Sequence, residues 1–450
     1  MSNQFAQVPA AGRPHPLRKP GNGRLVAAAA AIALCPVVAS ADETCLSPYM
    51  AKITGHEDYV YVWTLGVEGM GDGSDKLVTV DARQDSPTFG KVIDVDSVGS
   101  RNEAHHGGFT DDRRQFWAAG LDTSTIFIFD VASDPANPKL VKTIGDFTEK
   151  TGGVVGPHGA YALPGRMMIP ALSNKDGTGR TAIVEYSNQG DYITTHWMPT
   201  ADEAKDLPGG EHADGYGYDV RVLPHKNVML TSSFAGRENY MRPFGEVAGD
   251  PEAMKKFGNS MIIWDFHART PKKVFAVPGV PLEVRWAWGE DKAHAFTSTA
   301  LTSQLWLIYE DESGEWQAKA VADIGDPSTL PVPVDISISA DNSTIFANTF
   351  MDGMTRVFDV SDPHAPKQIY EKKIGAQVNM VSQSWDGERL YYTSSLLANW
   401  DKTGEDNEQF LKAYTWDGTE LTPRFEIDFN EAELGRPHMM AFGAASLYTN

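Results

Sequence analysis

A short apolar strand ending in a polar residue recurs seven times along this chain, and no other feature narrows the choice of fold so far. The copies are Val78-Thr79-Val80-Asp81, Ile128-Phe129-Asp130, Val184-Glu185-Tyr186-Ser187, Ile263-Trp264-Asp265, Ile308-Tyr309-Glu310, Val357-Phe358-Asp359 and Tyr414-Thr415-Trp416-Asp417. Their ends are separated by 49, 57, 78, 45, 49 and 58 residues. Two copies share a longer tail, Asp130-Val131-Ala132-Ser133-Asp134-Pro135 and Asp359-Val360-Ser361-Asp362-Pro363. A period of about 45–50 residues built from strands and turns signals radial repetition. The expected fold is all-β, a seven-bladed β-propeller, in which residues distant in sequence meet on a common axis.

Turn-forming clusters punctuate each expected blade, among them Asp111-Asp112-Arg113, Leu163-Pro164-Gly165, Leu223-Pro224-His225-Lys226, Gly289-Glu290-Asp291, Ala340-Asp341-Asn342 and Trp385-Asp386-Gly387. Helical periodicity is scarce. Asp250 to Phe257, opened by Pro251-Glu252, is the clearest helix. The 78-residue interval is the largest departure from the period, and its excess lies in two polar, Gly-rich stretches, 200–217 and 236–259. Such insertions gather on one face, so a lid between the third and fourth blades is expected.

Of 450 residues, 60 are acidic and 39 basic, a net charge of −21. That balance speaks against a nucleic-acid partner and for a small-molecule one. At the N-terminus, Arg13, Arg18, Lys19 and Arg24 precede an apolar run from Leu25 to Val38 and then Ala39-Ser40-Ala41. This order predicts an export signal over 1–41, one propeller domain over 42–450, a periplasmic location and no membrane attachment after cleavage. Cys35 would leave with the signal, and Cys45 would remain without an intrachain partner.

Upstream of the turns, on the expected innermost strands, stand His105 and His106, His158, Asp219, Glu283, Asp335, Asn379 and His438. Side chains there point into a shared channel, and buried polar groups need partners. Four imidazoles in three blades make a metal site that suits copper, zinc or iron. The acidic residues could orient imidazoles, hold a second ion or carry protons. Neighbours on a regular strand face opposite ways, so His105 and His106 can share one ion only if the strand bulges there. The following Gly107-Gly108 favours such a bulge.

Several segments together resemble the selenium-binding protein / methanethiol oxidase family, in its bacterial exported branch. They are Glu103-Ala104-His105-His106-Gly107-Gly108-Phe109, Tyr218-Asp219, His225-Lys226-Asn227-Val228-Met229, Pro281-Leu282-Glu283-Val284-Arg285, Phe358-Asp359-Val360-Ser361-Asp362-Pro363, Asn399-Trp400-Asp401-Lys402 and Gly435-Arg436-Pro437-His438. The resemblance implies a copper-dependent oxidase converting methanethiol, dioxygen and water into formaldehyde, hydrogen sulfide and hydrogen peroxide. It places copper on His105, His106, His158 and His438. Glu283 and Asp335 are the expected proton carriers. Glu103, Asp219 and His225 are expected behind the ligands, although the turn position of His225 equally suits a surface residue. Two other readings stay open: a lactonase-type hydrolase with calcium on Asp219, Glu283 and Asp335, and a non-catalytic propeller that binds thiols, metals or another protein. Homo-oligomerisation is left open.

Overall fold

The computed structural model describes residues 42–178 and 180–448, and the expected signal segment lies outside them. Seven antiparallel sheets are arranged as blades, six of four strands and one of five. Each repeated unit falls on the third strand from the axis: Lys76–Asp81, Thr125–Asp130, Ala182–Ser187, Ser260–Asp265, Gln304–Glu310, Met354–Asp359 and Phe410–Trp416. That strand is sandwiched between neighbouring blades on both faces, which is why it reads as a continuous apolar run. The acidic end has its own cause. Asp130, Asp265, Asp359 and Asp417 each accept amides two or three residues ahead and so open the turn to the outermost strand. Trp63, Trp117 and Trp264 are fully buried blade packing.

The C-terminal strand Arg436–Gly443 is the innermost strand of the blade that Tyr59–Leu65 continues. The two ends of the chain thereby close the ring, and His438 enters the channel from the far end of the sequence.

Three departures from the sequence reading have physical causes. The expected helix stops after one turn, Pro251–Met254, capped by the Asp250 side chain, because Phe257 leaves to bridge Ala235. Of the two expected insertions, only 200–217 lies between blades; 236–259 lies inside the fourth blade, between Val228–Thr231 and Ser260–Asp265. The first packs along the blade edge, where the Val274 amide donates to the Pro208 carbonyl. The second crosses to the seventh blade, where the Trp400 indole donates to the Arg242 carbonyl at 2.8 Å and Asn399 to that of Tyr240 at 3.1 Å.

An unexpected element plugs the opposite end of the channel. Residues 42–47 are all buried. Glu43 takes a bidentate pair from Arg113 at 2.9 and 3.1 Å, the Trp385 indole at 2.9 Å and the Phe442 amide at 2.6 Å. Asp42 pairs with Arg285 at 2.8 Å, and Thr44 bonds Ser382. Among the described residues no helix is long and apolar enough to cross a membrane.

Candidate metal centre

The innermost strands are irregular where the chemistry sits. In Ala104–Phe109, Ala104 pairs with Gly120 but Gly107 with Ala118, so His105 and His106 together oppose one residue. This is the bulge that the adjacent histidines require. Between Trp63 and Thr64 the register of the closing strand jumps from Met439 to Pro437, which leaves His438 as the extra residue. Strand Pro281–Trp286 slips likewise around Leu282 and Glu283, and Pro333–Ile338 around Val334. His158 directly follows the short strand Val154–Pro157.

The four imidazoles meet. Ring centroids are 3.9 Å apart for His105 and His438, 4.2 Å for His106 and His158, 4.8 Å for His105 and His158 and 5.0 Å for His106 and His438. One donor atom each from His105, His106 and His438 falls within 4.8 Å of the others. All four residues are at most 3% exposed. One nitrogen per ring has no hydrogen-bond partner: Nδ1 of His105 and Nε2 of His106, His158 and His438. Leaving a buried polar atom unpaired costs about 1–3 kcal/mol, so four together fit a ligand set far better than structural histidines.

Asn379 Nδ2 lies 3.5 Å from His438 Nδ1, behind the unpartnered Nε2. His106 differs, because its Nδ1 faces the Cys45 sulfur at 3.9 Å. For His106 to offer a bare Nε2, that Nδ1 must carry the proton and Sγ must accept it. Burial lowers all four imidazoles, His438 to about 3, His158 to about 4, and His105 and His106 well below their ordinary value. They are therefore neutral, lone-pair-bearing donors at any ordinary pH. This donor set fits the copper implied by the resemblance.

Beneath the histidines lies a buried ion lattice. Arg221 pairs with Asp219 at 2.9 Å and Glu283 at 3.3 Å. Arg285 pairs with Glu283 at 2.8 Å, Asp335 at 2.9 Å and Asp42 at 2.8 Å. Four carboxyl groups thus face two guanidiniums, and full ionisation would leave net negative charge under the imidazoles. Burial pushes Asp42 and Asp335 up and Asp219 to about 7, which relieves part of that charge. Burial raises Glu283 too, but Arg285 and Arg221 outweigh it and hold the carboxyl below its ordinary value. Glu283 is also the one whose Oε1 is unpartnered, 3.7 Å from His106 Nε2.

The other expected site residues divide. Asp335 spends its oxygens on Arg285 and on the amides of Ile336 and Val381, so neither is left unpartnered toward the imidazoles as Glu283 Oε1 is. Asp219 acts through Arg221 and the Val284 amide, not on an imidazole. Glu103, pushed up to about 8 by burial, accepts from the Ala398 amide and Arg101, ordering the loop of the seventh blade. His225 is exposed and its Nε2 meets the Lys292 carbonyl, which corrects its placement behind the ligands. Its turn lies at the plugged mouth, remote along its strand from the bulged ends. The lattice also opposes calcium on Asp219, Glu283 and Asp335, since guanidiniums already fill the space between them. Cys45 stands out in the sequence only as an unpaired thiol, and Arg221 and Arg285 do not stand out as site residues. The alternations Asp219-Val220-Arg221 and Glu283-Val284-Arg285 carried the signal for the two arginines.

A seven-bladed propeller whose axis gathers four neutral imidazoles above a carboxylate lattice presents a donor set of the kind that could hold a transition metal. Comparison with known proteins narrows this. Residues 39–442 match the family described as 56kDa selenium binding protein (SBP56), and the chain belongs to that family. A methanethiol oxidase of Ruegeria pomeroyi is 64% identical over 95% of this chain and 99% of its own length. One from Hyphomicrobium sp. is 56% identical over 91% and 93%, and one from Homo sapiens 26% over 86% and 93%. Among solved structures, a selenium-binding protein from Sulfolobus tokodaii superposes with a TM-score of 0.76 at 23% identity, covering 89% of this chain and 97% of its own. The periplasmic gluconolactonase of Pseudomonas aeruginosa gives 0.57 at 10% identity, covering 86% and 99%. Both solved structures bear on the fold alone.

Proposed function

We propose that this protein is a copper-dependent methanethiol oxidase, exported to the periplasm with cleavage before Asp42. The carrying observation is the set of four buried imidazoles, each with an unpartnered nitrogen, in a chain so similar to methanethiol oxidases. The reaction consumes methanethiol, dioxygen and water and yields formaldehyde, hydrogen sulfide and hydrogen peroxide. The carbon loses two electrons and dioxygen gains two. His105, His106, His158 and His438 hold the metal. Bound copper supplies a redox couple and a seat for thiolate sulfur.

The protein's own groups do the rest. Glu283 stays ionised beside Arg285 and Arg221, and its free Oε1 accepts a proton released at the site. The Tyr218 ring, 4.0 Å from that of His158, walls the site against water. The insertion 236–259, tied across the mouth to Trp400, is the lid.

Metal analysis of the purified protein together with oxygen uptake on methanethiol tests this reading. Metal-free protein that consumes no oxygen even after copper is added rejects it. Glu283→Gln should lower kcat by about 10²–10⁴-fold while copper content stays unchanged, because it removes a base and keeps the shape. Equal loss of metal and rate would assign Glu283 to ligation instead. Copper content should stay constant from pH 8 to pH 5. The depressed imidazoles bind protons only near the low values burial gives them, so protons compete only below that range. Release centred near pH 6.5, as for exposed imidazoles, would contradict a buried site.

A further inference from the structure

A small apolar chamber lies beside His105 and shares its Tyr218 wall with the imidazole cluster. Its walls include Leu172, Phe234, Leu282, Val334 and Leu397, and the lining residues with polar side-chain atoms are His105, Tyr218 and Trp400. Its volume is about 20 Å³. A buried water needs two or more polar partners, which this lining scarcely offers. The chamber therefore suits a small apolar group and is a poor place for water. Trp400 is the one lining residue that keeps partial exposure. Its ring packs at 5.0 Å from Phe244 and 6.0 Å from Phe234, so the entrance is closed by aromatic faces from two blades.

We propose that this chamber binds the alkyl group of the thiol and that its walls confine the substrate to one carbon. The inference deepens the oxidase reading and rests on it. With the methyl group among Leu172, Leu282 and Val334, the sulfur is directed to the unpartnered Nδ1 side of His105, where a ligand set converges. Each further methylene would have to displace a buried wall side chain. A hydrophobic pocket of fixed size discriminates by about 10–200-fold per methylene. Dioxygen, also small and apolar, is the rival occupant.

Two variants test the walls in opposite directions. Leu172→Ala enlarges the chamber and should raise the kcat/KM ratio of 1-propanethiol over methanethiol at least about tenfold. Ala300→Val, at another lining position, should lower kcat/KM for methanethiol by about tenfold with copper content unchanged. An unchanged thiol ratio in both variants, or a change confined to the KM for dioxygen, overturns the proposal. A crystal of the holoenzyme soaked anaerobically with methanethiol gives a second readout that needs no turnover. Carbon density between Leu172 and Val334 supports the assignment, and thiol density elsewhere refutes it. Thiol bound in the chamber of a protein that consumes no oxygen would sink the oxidase and leave the chamber standing.

Discussion

His438→Ala is expected to cost the protein its metal without costing it its fold. Copper affinity should fall by well over about 10²-fold, since even groups that only support a ligand are worth about 10–100-fold. Thiol oxidation should fall below about 1% of wild type. Stability of the metal-free form should change little. His438 is the extra residue of a bulge, so the ladder through Met439 and Pro437 does not need its side chain. Its carbonyl, which accepts from the Thr393 hydroxyl at 2.6 Å, survives the substitution. The lost imidazole removes an unpartnered nitrogen buried at some expense, which offsets the packing lost with a buried ring. Metal-free His438→Ala should therefore unfold close to the temperature of metal-free wild type, while copper should stabilise only the wild type. A structural histidine predicts the reverse pattern, with a large drop in the metal-free form. Metal content and thermal unfolding, measured with and without copper, separate the two.

The repeat was legible because the third strand of each blade is pressed between neighbours on both faces and, in five of the seven, the unit ends in an aspartate that opens the next turn. Both demands act locally. His105, His106 and His158 were legible for a related reason, since each stands five or six positions before a turn that the sequence marks. The bulge at His105 and His106 could be required from their adjacency, but that at His438 could not. Its extra residue is defined only against Trp63 and Thr64, at the other end of the chain. The plug was not legible at all. Asp42, Glu43 and Thr44 carry no periodicity, and their partners Arg285, Arg113, Trp385 and Ser382 lie far along the chain. Cys45 read as an isolated terminal thiol; a φ of 60° and the loop around it bring it to His106. Glu283 and Asp335 look alike in sequence, and only the pairing of every Asp335 oxygen tells them apart.

Glu43→Ala should be among the most destabilising single substitutions in the protein. Arg113 is fully buried and Glu43 nearly so. Removing the carboxylate strands a guanidinium, the Trp385 indole and the Phe442 amide at once. Breaking a buried pair from one side costs about 3–5 kcal/mol, and the orphaned donors add to it. Replacing both partners, as in Glu43→Leu with Arg113→Met, should recover only part of the loss, because the indole and the amide still lack an acceptor. The damage should also reach the metal. Cys45 is held against His106 by the same short segment, so a loosened plug withdraws the acceptor that fixes the His106 tautomer. Copper affinity should then fall together with the unfolding temperature in Glu43→Ala, whereas in Cys45→Ala it should fall with little thermal change. An unaltered unfolding temperature in Glu43→Ala would mean that the plug is not part of the folded core. In that case Cys45 could not be a fixed support of the site.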